Sequence, residues 1–291
     1  MKFATFTVST PEWTPEEAVG ELKAAGYDGV EWRVTDDPLM SGSGRTVAGH
    51  GPNVGFWQGN RCTLSLMSLI EDAPRIRAMT EAAGLAMPSV GTYVSCEEPE
   101  LVELAMKGVK ALGAPALRVR VPNYDGVSPY LALRDRARGQ YRDVDALAKQ
   151  YGLKALIEMH MNNIVPSASA CAAFVQGFDP NHVGIIHDCG NLVFEGYEQY
   201  RLGLEVLGPY LAHVHIKSAK WEVVGSRADG STEWRAVFAP LKSGIVDVRR
   251  LVDALRAVGY DGWIAFEDFS TEQPLAQRIR DNLNYVKSLW A

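Results

Sequence analysis

The chain lacks most of what marks secreted, membrane-bound or nucleic-acid-binding proteins. Its four cysteines, Cys62, Cys96, Cys171 and Cys189, are scattered and form no C-x-x-C pair. Reduced thiols are therefore expected, rather than a disulfide framework or a thiolate metal site. No apolar run approaches the roughly 20 residues of a membrane span. The opening segment, MKFATFTVSTPEW, has no apolar stretch of signal-peptide length. A cytoplasmic protein with no membrane partner is expected. Basic residues are not in excess, with 29 Lys and Arg against 35 Asp and Glu and a formal net charge of -6. Phosphate binding usually shows a basic face, so no nucleic-acid partner is expected. The G-x-G-x-x-G fingerprint of an open dinucleotide-binding sheet is also missing after the first apolar run.

What is present is an alternation of short apolar runs with longer amphipathic ones. Strands are predicted at 2–8, 28–34, 86–94, 115–121, 153–160, 182–188, 211–217 and 262–269. Helices are predicted near 15–26, 69–84, 98–112, 128–151, 167–176, 197–208, 246–258 and 273–288. The first helix shows its start and stop plainly: Thr14 as cap, Pro15 at the first position, Glu17 three residues after the cap and Gly26 at the end. Strands separated by helices pair in parallel through right-handed crossovers. Eight such units imply a closed (β/α)8 TIM barrel, an α/β fold that needs about 250 residues. A single domain over residues 1–291 is expected.

Two connections are long, near 35–67 and 218–245. Long loops in compact domains are usually functional or disordered, and both would emerge at the C-terminal face, where barrel enzymes build their sites. Their Trp57, Arg61, Trp221, Arg227, Trp234 and Arg235 suggest lid or substrate loops, and Trp57 is taken as a substrate contact.

Four neighbouring strand ends carry polar groups: Ile157-Glu158-Met159-His160, Ile186-His187-Asp188, His213-Val214-His215-Ile216-Lys217 and Phe266-Glu267-Asp268. Charges near a barrel rim are costly unless paired or ligated. The oxygen and nitrogen donors of Glu158, Asp188, His215 and Glu267 suit one divalent ion such as Mn2+, Mg2+ or Co2+. The competing reading is a salt-bridge cluster with Lys217 and Arg120. Period-2 alternation places His213, His215 and Lys217 on one inward face, with Lys217 nearest the mouth. Glu158 and His160 share a face, as do Arg118 and Arg120, with Arg120 nearer the mouth and suited to substrate oxygens.

These motifs resemble the xylose isomerase-like barrel superfamily, in particular its sugar phosphate isomerase/epimerase group. GYDGVEWR, IEMH, HDCGNLVFEG, HVHIKSA and AFEDFS carry the resemblance in order along nearly the whole chain. It implies Glu158, Asp188, His215 and Glu267 as ligands of one metal ion, with Glu158 and Glu267 also acting as acid and base. Lys217, two residues after the His ligand, would bind substrate. Asn191 stands where ketose 3-epimerases often place a His and is taken as a substrate contact. The Arg those enzymes carry shortly after the His ligand is absent from KSAKWE. The implied function is isomerisation or epimerisation of a small sugar or keto-sugar through an enediolate. The alternative is a lyase, either an inosose-type dehydratase or an eliminase of 3-keto-glycosides and C-glycosides, with His160 as base and, for the eliminase, a small partner subunit. A homo-oligomer is expected. A more distant resemblance to endonuclease IV, a trinuclear zinc DNA-repair enzyme, is disfavoured by six histidines in all and by the acidic balance.

Overall fold

The structure is a computed structural model that describes residues 1–36 and 55–290. Its elements run in the order β1 (Lys2–Phe6), α1 (Pro15–Ala25), β2 (Gly29–Val34), β3 (Thr63–Leu64), α2 (Leu69–Ala82), β4 (Val90–Thr92), α3 (Pro99–Leu112), β5 (Ala116–Arg118), α4 (Tyr130–Tyr151) and β6 (Lys154–Glu158). They continue with α5 (Ala168–Val175), β7 (Val183–Asp188), α6 (Asn191–Phe194), α7 (Tyr200–Leu207), β8 (Leu211–Ile216), β9 (Ser218–Ser226), β10 (Thr232–Ala239), α8 (Val248–Ala257), β11 (Trp263–Phe266) and α9 (Leu275–Trp290).

Strands β1, β2, β4, β5, β6, β7, β8 and β11 pair in parallel, and β1 bonds both β11 and β2. That last pairing closes the sheet, so the fold is a single-domain (β/α)8 barrel rather than an open sheet. The two-residue β3 adds to β2 at the rim. β4 and β5 are shorter than predicted because their ladder holds one register pair, Val90 with Leu117, followed by an isolated bridge from Ser95 to Arg120. Among the described residues no helix is long and apolar enough to cross a membrane.

Alternation decides what each strand shows to which layer. On β8, Val214 and Ile216 pack outward into the main apolar core with the helices, while His213 and His215 are buried among polar partners. Beneath them Ala116, Leu156 and Ile186 make a small apolar floor with Ala212. Helix α1 starts with the predicted reciprocal cap: Thr14 accepts from the Glu17 amide and Glu17 accepts from the Thr14 amide. It ends on Gly26, whose φ of 86° suits a residue without Cβ.

The second long connection is ordered. β9 and β10 form an antiparallel hairpin from Ser218 to Ala239. Its alternating apolar residues and an Asp229-Gly230 turn, with Gly230 at φ 83°, read in retrospect as strand signals. Of the first long connection, residues 37–54, which include His50, lie outside the described residues.

Candidate active site

The four predicted donors meet at the C-terminal mouth of the barrel. Glu158 ends β6, Asp188 ends β7, His215 lies near the end of β8 and Glu267 follows β11. All are buried, and one donor atom from each lies within 4.8 Å of the others. His215 Nδ1 stands 3.6 Å from Glu158 Oε1 and 3.8 Å from Asp188 Oδ2. Both Nδ1 and Asp188 Oδ2 are buried without a hydrogen-bond partner. Buried polar atoms are rarely left so. A hard donor set with orphaned lone pairs turned toward one point fits a divalent ion.

The opposite side of His215 is spoken for. Its Nε2 lies 2.9 Å from Glu31 Oε2, and His213 Nε2 lies 3.2 Å from the same oxygen. A carboxylate that accepts the Nε2 proton fixes the tautomer and leaves the Nδ1 lone pair toward the donor cluster. Phe6 stacks on the imidazole with ring centres 5.6 Å apart. Against burial, which raises it, the two imidazoles hold the Glu31 carboxyl well below its usual range.

Two permanent cations enter the cluster. Lys217 Nζ contacts Glu267 and lies 3.0 Å from Asp188 Oδ2, at an angle that makes an ion pair but no hydrogen bond, and 3.8 Å from Glu158 Oε1. Gly190 makes room for the lysine stem, since a Cβ there would come within 2.2 Å of Lys217 Cγ. Arg118, not Arg120, reaches Glu158: its Nη1 donates to Oε2, while its Nε donates to the Thr92 carbonyl at 3.0 Å. Glu158, Asp188 and Glu267 thus meet the permanent cations Arg118 and Lys217, while Glu31 meets the two imidazoles. Burial raises Glu267, and with neighbouring Glu158 and Asp188 it brings the carboxyl up to about 7 in spite of Lys217. Burial also raises Glu158, but Arg118 outweighs it and holds that carboxyl well below its usual range.

The other predicted residues fall into three groups. His160 and Arg120 line a cleft of about 160 Å³ beside Glu158, together with Arg118, Asn123 and Asn163. His160 Nδ1 lies 2.7 Å from the Met161 carbonyl, which can only accept, so Nδ1 carries the proton and the neutral ring keeps its lone pair on Nε2. Burial lowers the His160 pKa, although Glu158 opposes it. Asn191 is buried and its amide donates to Glu158 Oε1 at 3.2 Å and to the Met159 carbonyl at 2.9 Å. It holds a donor in place. Trp57 sits in an aromatic wall with Phe56, Phe238 and Phe269, whose ring lies 4.9 Å from it. Lys217 Nζ stands 5.5 Å from the Phe269 ring and 5.9 Å from Phe238. Arg61 is instead tied to the Glu12 carbonyl and Glu17, and Trp221, Arg227, Trp234 and Arg235 lie on the outer hairpin.

Glu31 and the Arg118–Glu158 pair were not foreseen. The available signal is a carboxylate and an arginine two residues apart in a buried strand, GVEWRV, where an unpaired charge would be costly.

The profile of xylose isomerase-like TIM barrels matches residues 19–289, and the chain belongs to that family. Among curated sequences it is similar to the inosose dehydratase of Geobacillus thermodenitrificans, 27% identical over 129 residues, which is 42% of each chain. The chain thus spans about two fifths of the length of such relatives. Solved structures with the same fold include a D-psicose 3-epimerase of Clostridium cellulolyticum with D-tagatose, at 15% identity and TM-score 0.71, covering 100% of this chain and 99% of that one. A 3-keto-D-glucoside 4-epimerase of E. coli gives 16% and 0.70 over 99% of both. A family member from Mycobacterium smegmatis in complex with magnesium gives 17% and 0.65 over 100% and 98%.

Proposed function

We propose that the chain is a divalent-metal-dependent enzyme that removes a proton beside the carbonyl of a small sugar or keto-sugar and returns it, as an isomerase or epimerase. One observation carries this reading: Glu158, Asp188, His215 and Glu267 converge within 4.8 Å on a mouth that also opens to a cleft. A divalent ion held by these four would polarise a carbonyl and an adjacent hydroxyl, acidifying the C–H between them. Glu158 and Glu267, on separate strands, serve as the pair that takes the proton at one face of that carbon and returns one at the other. Lys217 faces the developing oxyanion, Arg120 meets outlying hydroxyls from the cleft, and the wall of Trp57, Phe238 and Phe269 excludes water.

A second reading, a lyase acting on an inosose or a 3-keto-glycoside, is favoured by His160. Its Nε2 lone pair is set by the Met161 carbonyl, and it stands in the cleft beside Glu158. As base it would take the proton next to the ketone while the β-substituent leaves with its bonding electrons. The likeness to inosose dehydratases points the same way.

The experiment is hydrogen exchange at carbon in deuterated water, with ketohexoses, inososes and 3-keto-glucosides offered to Mn2+-loaded protein. In the two-carboxylate enzyme Glu267→Gln abolishes exchange and His160→Ala leaves most of it, with an epimer of equal mass as product. In the lyase His160→Ala abolishes exchange with metal content normal, and the product has lost water or an aglycone. No exchange with any substrate, or exchange that both variants retain, removes the barrel mouth as the site.

A further inference from the structure

The hairpin leaves the barrel mouth with one face that its own chain covers at the inner end and leaves largely open at the outer end. Register places Trp234 beside Val223, Ala236 beside Trp221 and Phe238 beside Ala219, so these six share one face. The inner end, at Phe238, belongs to the aromatic wall over Lys217. At the outer end Val223 is 60% exposed and Trp234 53%, while Trp221, 44% exposed, is held from one side by its own chain, its indole donating to the Val193 carbonyl at 3.0 Å. Isolated apolar side chains on a surface are ordinary, but these lie together on a two-stranded ribbon, an element that is marginally stable alone in water.

The edge of β10 is bare. Among the described residues no backbone group of Glu233, Trp234 or Arg235 bonds outside the hairpin. An exposed, apolar strand edge is a template for another strand. Glu233 and Arg235 form no ion pair or hydrogen bond among the described residues, in contrast to Lys220 and Glu222 of β9, which pair at 2.9 Å.

The order Thr232-Glu233-Trp234-Arg235-Ala236 is self-complementary in charge. We infer that β10 is a dimerisation strand, pairing antiparallel with β10 of a second copy of this chain about a twofold axis at Trp234. In that register Glu233 of each copy faces Arg235 of the other, and Trp234 faces its own counterpart. Thr232 faces Ala236. Directly opposed residues on one face of an antiparallel pair are close enough to interact. The contact is isologous and closes on itself, as a twofold dimer must. It turns two open ribbons into one four-stranded sheet with Trp221, Val223, Trp234 and Ala236 of both copies on a common apolar face.

Sedimentation equilibrium on the full chain, across micromolar concentrations, tests this. The wild type sediments as a dimer. Arg235→Glu sets two carboxylates opposite each other at both symmetry-related pairs and weakens the dimer by about tenfold or more. Adding Glu233→Arg to it restores both pairs in reversed order and recovers the wild-type dimer. Metal content and circular dichroism stay at wild-type values throughout, because both side chains are exposed. A wild-type chain that stays monomeric overturns the inference. So does a dimer indifferent to Arg235→Glu, or a double variant that remains monomeric.

Discussion

The two halves of the barrel contribute different kinds of residue to its mouth. β6, β7, β8 and β11 supply the donors Glu158, Asp188, His215 and Glu267, two of which keep buried atoms without a hydrogen-bond partner. β1, β2 and β5 supply Phe6, Glu31 and Arg118, which stack on His215, accept from its Nε2 and pair with Glu158. One half offers lone pairs and the other aims them. A ligand set needs both, since a buried imidazole free to rotate or change tautomer is a poor donor.

That division breaks most visibly at the donors. Purified protein is expected to carry about one divalent ion per chain, read by elemental analysis. Asp188→Ala and His215→Ala should each lose it, a greater loss than the roughly 10–100-fold cost of removing an outer partner. Full metal retention in both variants would mean that these side chains are not ligands.

Lys217 sharpens the comparison from within the donor half. It extends the inward face of β8 and touches the same carboxylates, but an ammonium has no lone pair to give a cation. Lys217→Met is expected to keep the ion while kcat falls roughly a hundredfold or more, as for loss of a group that stabilises an oxyanion. Loss of the ion along with turnover would move Lys217 to a structural role.

Glu31→Gln tests the aiming half. The amide keeps the size of the carboxylate and an acceptor for one imidazole but removes the charge. Metal affinity, measured by titration calorimetry, should fall roughly 10–100-fold while the fold is retained. An effect as large as that of Asp188→Ala would erase the distinction and make Glu31 a ligand.

The donor half could be read from sequence because its signals are local. In LAHVHIK the polar residues recur every second position, so one strand shows which side chains share the interior. The ends of β6, β7 and β11 follow the same rule. The aiming half could not be read this way. Glu31 is 182 and 184 residues from the histidines it joins, and only the closure of the barrel brings β2 toward β8. Arg120 was favoured over Arg118 by counting toward the mouth. Both arginines line the cleft, but β5 pairs Arg118 with Leu156, two residues before Glu158, and it is the Arg118 guanidinium that donates to the Glu158 carboxylate. Loop composition points to the tryptophans of both long connections as site residues, but of Trp57, Trp221 and Trp234 only Trp57 lies in the wall, beside Phe56 and Phe238 of the same connections.

The smallest expected effect lies outside both halves and serves as their control. Thr14 opens α1, and its hydroxyl accepts from the Glu17 amide at 3.3 Å while the Glu17 carboxylate accepts from the Thr14 amide at 2.7 Å. Glu17 also meets Arg61 at 3.6 Å, so the cap ties the start of α1 to the segment that leads into β3. Both charged side chains are about half exposed, at 50% and 52%, and such a pair adds little beyond the cap itself. Thr14→Ala removes the hydroxyl and leaves the Glu17 amide to water, at a cost of about 1 kcal/mol. In a chain of this size that lowers Tm by about 2 °C. Thr14→Ser keeps the acceptor and should fall between the wild type and Thr14→Ala. Neither change reaches Glu31, Arg118 or the four donors, so metal content and exchange at carbon should match the wild type. A Thr14→Ala protein that lost metal would show that the site depends on how the β1–α1 connection is anchored, and the aiming residues would then extend beyond the barrel strands.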